Sequence, residues 1–275
     1  TTQRMIYKHV TAHMTKKLLS ILIIILTANF LLSYALKSII IETEFSQHYV
    51  LKNILKLGFV VLSIFLIRKL SLKFQLFKYS IYIVPIWIIL LYLSFQNVEQ
   101  SIENSNSTIT SNQNLLFFLS CLLVGAFEEL FFRVYIFHSL LSNLKGKSLL
   151  KIITITSLIF ALAHITNMLN PDVVAISVFV QIVFAFGLGF IFQAIYLRFK
   201  NIILPICLHG IFNYFGTYKT RMFDTISEEI AEIKISEFLL SLGFALFFTL
   251  VLITISYFLL IPIIKDWNEE KKYVL

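Results

Sequence analysis

Residues 115–141, LLFFLSCLLVGAFEELFFRVYIFHSLL, decide how this chain is read. The stretch is long and apolar enough to cross a bilayer, yet Glu128, Glu129 and Arg133 sit inside it. A charged group near the midplane costs about 2.5–3.5 kcal/mol even on the mild insertion scale, so three within six residues require partners and a purpose. Whatever chemistry the protein carries out is expected there.

Composition places the surrounding chain in lipid too. Hydrophobic residues make up 58% of the 275 residues and charged ones 14%, where soluble domains hold roughly 25%; mean hydropathy is +0.86. The chain reads as all-α, a polytopic membrane helical bundle forming a single membrane domain over 1–275. Segments of about 20 apolar residues fall near 18–37, 51–67, 79–96, 115–141, 149–166, 173–197, 201–216 and 238–264, which predicts about eight transmembrane helices. Lys52 and Lys56 weaken the second and are expected to snorkel, and the seventh is short. The basic N-terminal stretch precedes an apolar run with no cleavage site, so the first helix reads as uncleaved.

The net charge of +8 belongs to the loops rather than to a nucleic-acid face, because no Lys/Arg run is interleaved with aromatics. With the N-terminus cytoplasmic, 16 of the 23 Lys/Arg lie inside, 6 outside, and Arg133 in the membrane. That bias follows the positive-inside rule and puts both termini in the cytoplasm. The outer loops then include 97–114 and 217–236. In the second, Ile226, Ile230, Ile233 and Ile235 fit a short interfacial helix as well as they fit a solvated linker. Cys121 and Cys207 lie in apolar segments and indicate no disulfide; Cys207 and His209, two apart on a helix, point to different sides and make a poor thiol dyad.

Glu129 and Arg133 are four residues apart, the spacing at which a carboxylate and a guanidinium meet on one helix face. Glu128 points about 100° away and has no cation on its own helix. Two later helices add polar groups: His164 in FALAHITN (160–167), and His209 with Asn213, again four apart, in CLHGIFNYFG (207–216). Together these are parts of a hydrolytic site. A carboxylate held away from bulk water is a usable general base, an imidazole can hold the same water, and a second imidazole with an amide can stabilise an oxyanion.

Other intramembrane hydrolases need residues that this chain lacks. No His-Glu-x-x-His occurs, Asp172, Asp224 and Asp266 fall at helix ends or in loops, GLGF (187–190) lacks an acid, and no Gly-x-Ser-Gly turn is present. A glutamate-based mechanism is left, unless Glu128, His164 and His209 hold a zinc ion.

Glu128-Glu129-x-x-x-Arg133, Phe160-x-x-x-His164 and His209-x-x-x-Asn213, in this order and each in an apolar helix, resemble the three motifs of the CAAX protease and bacteriocin-processing (ABI) family of intramembrane glutamic proteases. The similarity covers about 115–216, which become the expected catalytic helices. It implies that Glu128 and His164 activate the water, that His209 and Asn213 form the oxyanion hole, and that Glu129 and Arg133, with Phe160 in the second motif, play supporting roles. Neither cofactor nor metal is implied. The expected substrate is a peptide or membrane protein, in a bacterial cell membrane by the Ile/Lys/Asn/Phe-rich character of the chain. Two further readings are a proton-coupled transporter, since intramembrane Glu, His and Arg also build relays, and a non-catalytic immunity or scaffold protein. By helix counting His164 lies nearer one membrane face than Glu128 and His209, which calls for an extension of its helix or a tilted cavity.

Overall fold

The computed structural model describes residues 45–68, 110–144, 148–169, 175–222 and 235–272. Among these there are only helices. They are α1 (Phe45–Arg68), α2 (Ser111–Glu128), a π-helical segment (Glu129–Ile136) continuing into α3 (Phe137–Asn143), α4 (Leu149–Ala163), a 3₁₀ segment (His164–Leu169), α5 (Ala175–Phe199), α6 (Ile203–Met222) and α7 (Ile235–Lys272).

Local signals set the ends of these helices. Thr110 caps α2 through a capping box: its hydroxyl accepts from the Gln113 N–H at 3.3 Å, and the Gln113 side chain accepts from the Thr110 N–H at 2.9 Å. Ser148 caps α4 with a single bond, its hydroxyl accepting from the Lys151 N–H at 3.3 Å. The sharp turn into α6 has Lys200 at φ 50°, followed by Asn201, whose side-chain oxygen accepts from the Ile203 N–H at 2.8 Å. Asn201 thereby satisfies a donor that would otherwise be orphaned at the helix start.

Five helical stretches among the described residues are long and apolar enough to cross a membrane: Tyr49–Arg68, Ser111–Asn143, Leu149–Met168, Ala175–Phe199 and Ile235–Trp267. Ile203–Thr217 is a shorter apolar helix. These six correspond to the segments expected near 51–67, 115–141, 149–166, 173–197, 201–216 and 238–264. The segments expected at 18–37 and 79–96, and most of the 217–236 loop with its isoleucines, lie outside the described residues.

One expectation needs correcting. Lys56 does not snorkel: its ammonium reaches across to Ser120 on α2, bonding both the hydroxyl and the carbonyl oxygen. Half a dozen residues into an apolar helix, an internal acceptor is closer than water. Asn53, a turn earlier, donates to the Leu116 carbonyl at 3.1 Å, so α1 is tied to α2 by two polar contacts.

The most extensive packing joins α5 to α7, α2 to α6, α1 to α2 and α4 to α5. Lipid is as apolar as leucine, so helix association rests on close backbone approach at small residues rather than on burial from water. At the α2–α6 crossing, a Cβ on Gly125 would lie 2.9 Å from the Gly210 nitrogen and 2.9 Å from the Ile206 oxygen. Across α4 and α5, a Cβ on Gly189 would lie 2.8 Å from Ser157 Cβ. The first crossing is decisive, because Gly125 precedes Glu128 by one turn and Gly210 follows His209 directly. Two bare helix faces therefore bring the first and third motifs together. Around them lies a core of Phe131, Phe132, Phe137, Ile152, Ile153 and Phe160, all at 3% exposure or less.

Candidate active site

Glu128 ends the regular α-helical part of α2, and Glu129 opens the π-helical segment. The wider turn of a π-helix accommodates an extra residue, and such segments in α-helices often mark functional sites. Here it carries Glu129 and Arg133 with every one of its eight residues buried.

Arg133 Nε lies 3.0 Å from Glu129 Oε2, and both side chains are fully buried. The predicted pair therefore forms. It is held by charge, since no guanidinium nitrogen has an in-line hydrogen-bond acceptor among the described residues. The guanidinium lies over the Phe160 ring, with Cζ 4.1 Å from its centroid, and 5.8 Å from that of Phe192. A desolvated cation on an aromatic face gains about 2 kcal/mol, which helps to offset its removal from water.

Glu129 has a second partner that spacing along one helix does not reveal. His209 Nδ1 lies 2.8 Å from Glu129 Oε1. A carboxylate can only accept, so Nδ1 carries the hydrogen, and the other ring nitrogen, Nε2, is turned to Glu128 Oε2 at 3.5 Å. That distance is long for a direct hydrogen bond but close for charges. His209 thus stands between the two carboxylates, fixed by Glu129 in the way the aspartate of a hydrolase triad fixes its histidine. Phe192 stacks on the imidazole at 5.3 Å with the planes 28° apart, and Phe160 meets it edge-on at 5.9 Å.

His164 is the first residue of the 3₁₀ segment, immediately after α4. Its Nδ1 is 3.1 Å from the Phe160 carbonyl oxygen, again an acceptor only, so Nδ1 donates and Nε2 is not engaged in that bond. The Phe160 ring stands edge-on to it at 5.1 Å. Phe160 therefore touches Arg133, His164 and His209 at once, which makes it the common wall of the three motifs.

A cavity of about 190 Å³ brings these groups to one space. Glu128, His164, His209 and Asn213 all line it, together with Phe160, Thr166, Asn167, Gln181 and a wall of α2 and π-segment side chains. The chain continues past Ala163 in the 3₁₀ segment, which carries His164, Thr166 and Asn167 to the cavity wall. Glu129 and Arg133 do not line the cavity; they sit behind it. Sequence reasoning does not single out Phe192, Asn167 or Gln181. No group of three or more His, Cys, Asp and Glu residues among those described is arranged to hold a metal ion.

Such an arrangement can polarise a water between a carboxylate and an imidazole acceptor, with a second imidazole and an amide close by. Residues 110–215 match the family described as type II CAAX prenyl endopeptidase Rce1-like. The matched stretch contains every residue of the three motifs, and the family it matches is of the CAAX protease kind that those motifs resemble. No curated protein and no solved structure matches the chain significantly.

Proposed function

We propose that the Rce1-like region is an intramembrane glutamic endopeptidase that hydrolyses a peptide bond in a peptide or membrane-protein substrate. The observation that carries the proposal is the single cavity onto which Glu128, His164, His209 and Asn213 all open. Glu128 removes a proton from a water whose other hydrogen is accepted by His164 Nε2. The resulting hydroxide attacks the scissile carbonyl carbon, and the oxyanion is held by His209 Nε2–H and the Asn213 amide. Glu128 then passes its proton to the leaving nitrogen, the C–N bond breaks, and the carboxylic acid, which keeps the hydroxide's own hydrogen, and the amine depart.

Charge counting supports these assignments. Two carboxylates, one guanidinium and a protonated His209 sum to zero, the state that a low-dielectric site favours. A protonated His209 has Nε2–H to donate. When Glu128 takes the proton of water and the oxyanion forms, the sum is still zero, so the reaction creates no net charge in the membrane.

Comparative peptidomics of membranes carrying the native chain or Glu128→Gln tests the reading and finds the substrate together. Peptides released only by the native chain are expected, with His164→Ala reproducing the loss at normal protein levels. Normal release by Glu128→Gln would sink the proposal.

A further inference from the structure

Two side-chain amides lie on the cavity wall without a role in the steps above. Asn167 Nδ2 donates to Gln181 Oε1 at 2.8 Å, joining the 3₁₀ segment to α5. Both residues line the cavity that holds Glu128, His164, His209 and Asn213. The bond uses one donor of Asn167 and one acceptor of Gln181, leaving Asn167 Oδ1 as an acceptor and the Gln181 NH₂ as a donor. An acceptor beside a donor is the complement of the N–H and C=O that a peptide presents along one edge.

Placement relative to the chemistry follows from the 3₁₀ geometry. At three residues per turn, Asn167 is eclipsed with His164 and displaced from it by about 6 Å along the segment axis. An extended peptide advances about 3.3 Å per residue, so the amide pair stands about two residues from a carbonyl poised at His164. A helical peptide would spend its own N–H and C=O internally and could not use the pair.

We propose that Asn167 and Gln181 form a backbone clamp that binds the substrate in extended conformation about two residues from the scissile bond. They are positioning residues, and the site selects for a locally unwound, unstructured segment rather than for an intact transmembrane helix. This rests on the peptidase reading above, and its test is by binding, so that the two can fail separately.

The probe is a fluorescent, leucine-rich heptapeptide, titrated against the full chain carrying Glu128→Gln in lipid nanodiscs and followed by anisotropy. Gln181→Leu and Asn167→Leu are each expected to weaken binding about tenfold, the loss of one or two net hydrogen bonds. A second set of probes carries one backbone N-methyl group, moved along the peptide. At one or two adjacent positions it is expected to weaken binding by a similar factor in the parent protein but to have no further effect in Asn167→Leu. A purely structural role for the amides does not produce that dependence on a single peptide N–H. Unchanged affinity in both variants, N-methyl effects identical in every background, or no binding of the extended probe would each overturn the clamp. Binding with these signatures but no cleavage by the native chain would leave the clamp standing and remove the peptidase reading.

Discussion

Replacing Arg133 by methionine removes the guanidinium from the Glu129 pair and keeps an unbranched stem against the Phe160 ring. At the observed 3.0 Å, and an effective dielectric of about 20, the lost attraction is about 5 kcal/mol. Both groups are fully buried, so solvent screening does not reduce it. Desolvation had already consumed most of that energy in the intact pair, but the variant leaves the Glu129 charge buried with only His209 to answer it. Breaking one side of a buried pair costs about 3–5 kcal/mol, and Glu129→Gln, which strands the guanidinium, is expected to cost a similar amount. The double variant has neither charge and retains a Gln oxygen for His209. It is therefore expected to be more stable than either single variant, with a coupling energy of several kcal/mol. Reversible unfolding in mixed micelles, followed by circular dichroism across the four proteins, measures this. Losses that add to within about 0.5 kcal/mol would refute the reasoning, because they would mean that the two charges do not meet.

Gly125→Ala places a Cβ 2.9 Å from two backbone atoms of α6, so the helices must part by about 0.5 Å to reach ordinary contact. His209 would move from both glutamates with the backbone intact, and kcat on the substrate found by peptidomics is expected to fall by about tenfold, while unaltered kcat would count against the crossing as the positioning device. Phe192→Ala takes away the ring stacked on His209 and is expected to cost about 3–5 kcal/mol of stability together with activity, both read on one purified sample; an active and fully stable variant would show that the stack is idle. Cleavage is expected to be unaffected by EDTA and by phenanthroline, and loss that added zinc restores would recast Glu128, His164 and His209 as ligands.

Much of the fold is legible in sequence for a simple reason. A bilayer imposes a length of about 20 apolar residues on a spanning helix, so hydropathy alone places six helices to within a few residues. The Glu129–Arg133 pair is equally legible, because it joins neighbours on one helix face. Contacts between helices are not. The bond from His209 to Glu129 joins residues 80 apart in the chain and depends on a glycine crossing that hydropathy does not register. Nor does hydropathy separate α from π: ELFFRVYI is as apolar either way, and the wider turn appears only in the backbone. Gln181 is in principle visible, as one of two amides, with Gln193, in a long apolar run, whereas Phe192 is one of many phenylalanines and carries no signal of its own.

Adjacent residues Glu128 and Glu129 differ sharply in surroundings. Glu129 is fully buried, with Arg133 on one oxygen and His209 on the other. Glu128 retains 22% side-chain exposure, faces the cavity and is approached by His209 only at 3.5 Å. Two carboxylates in one apolar helix would repel each other if they shared an environment; here the guanidinium and the imidazole lie against one of them and leave the other facing the cavity. The same division weighs against proton transport. A relay must hand a proton onward, but the route from Glu128 through His209 ends on a carboxylate already neutralised by an immobile guanidinium. A proton taken up by Glu128 has a short way back into the cavity, toward whatever occupies it, and that is the path needed between a water and a leaving amine.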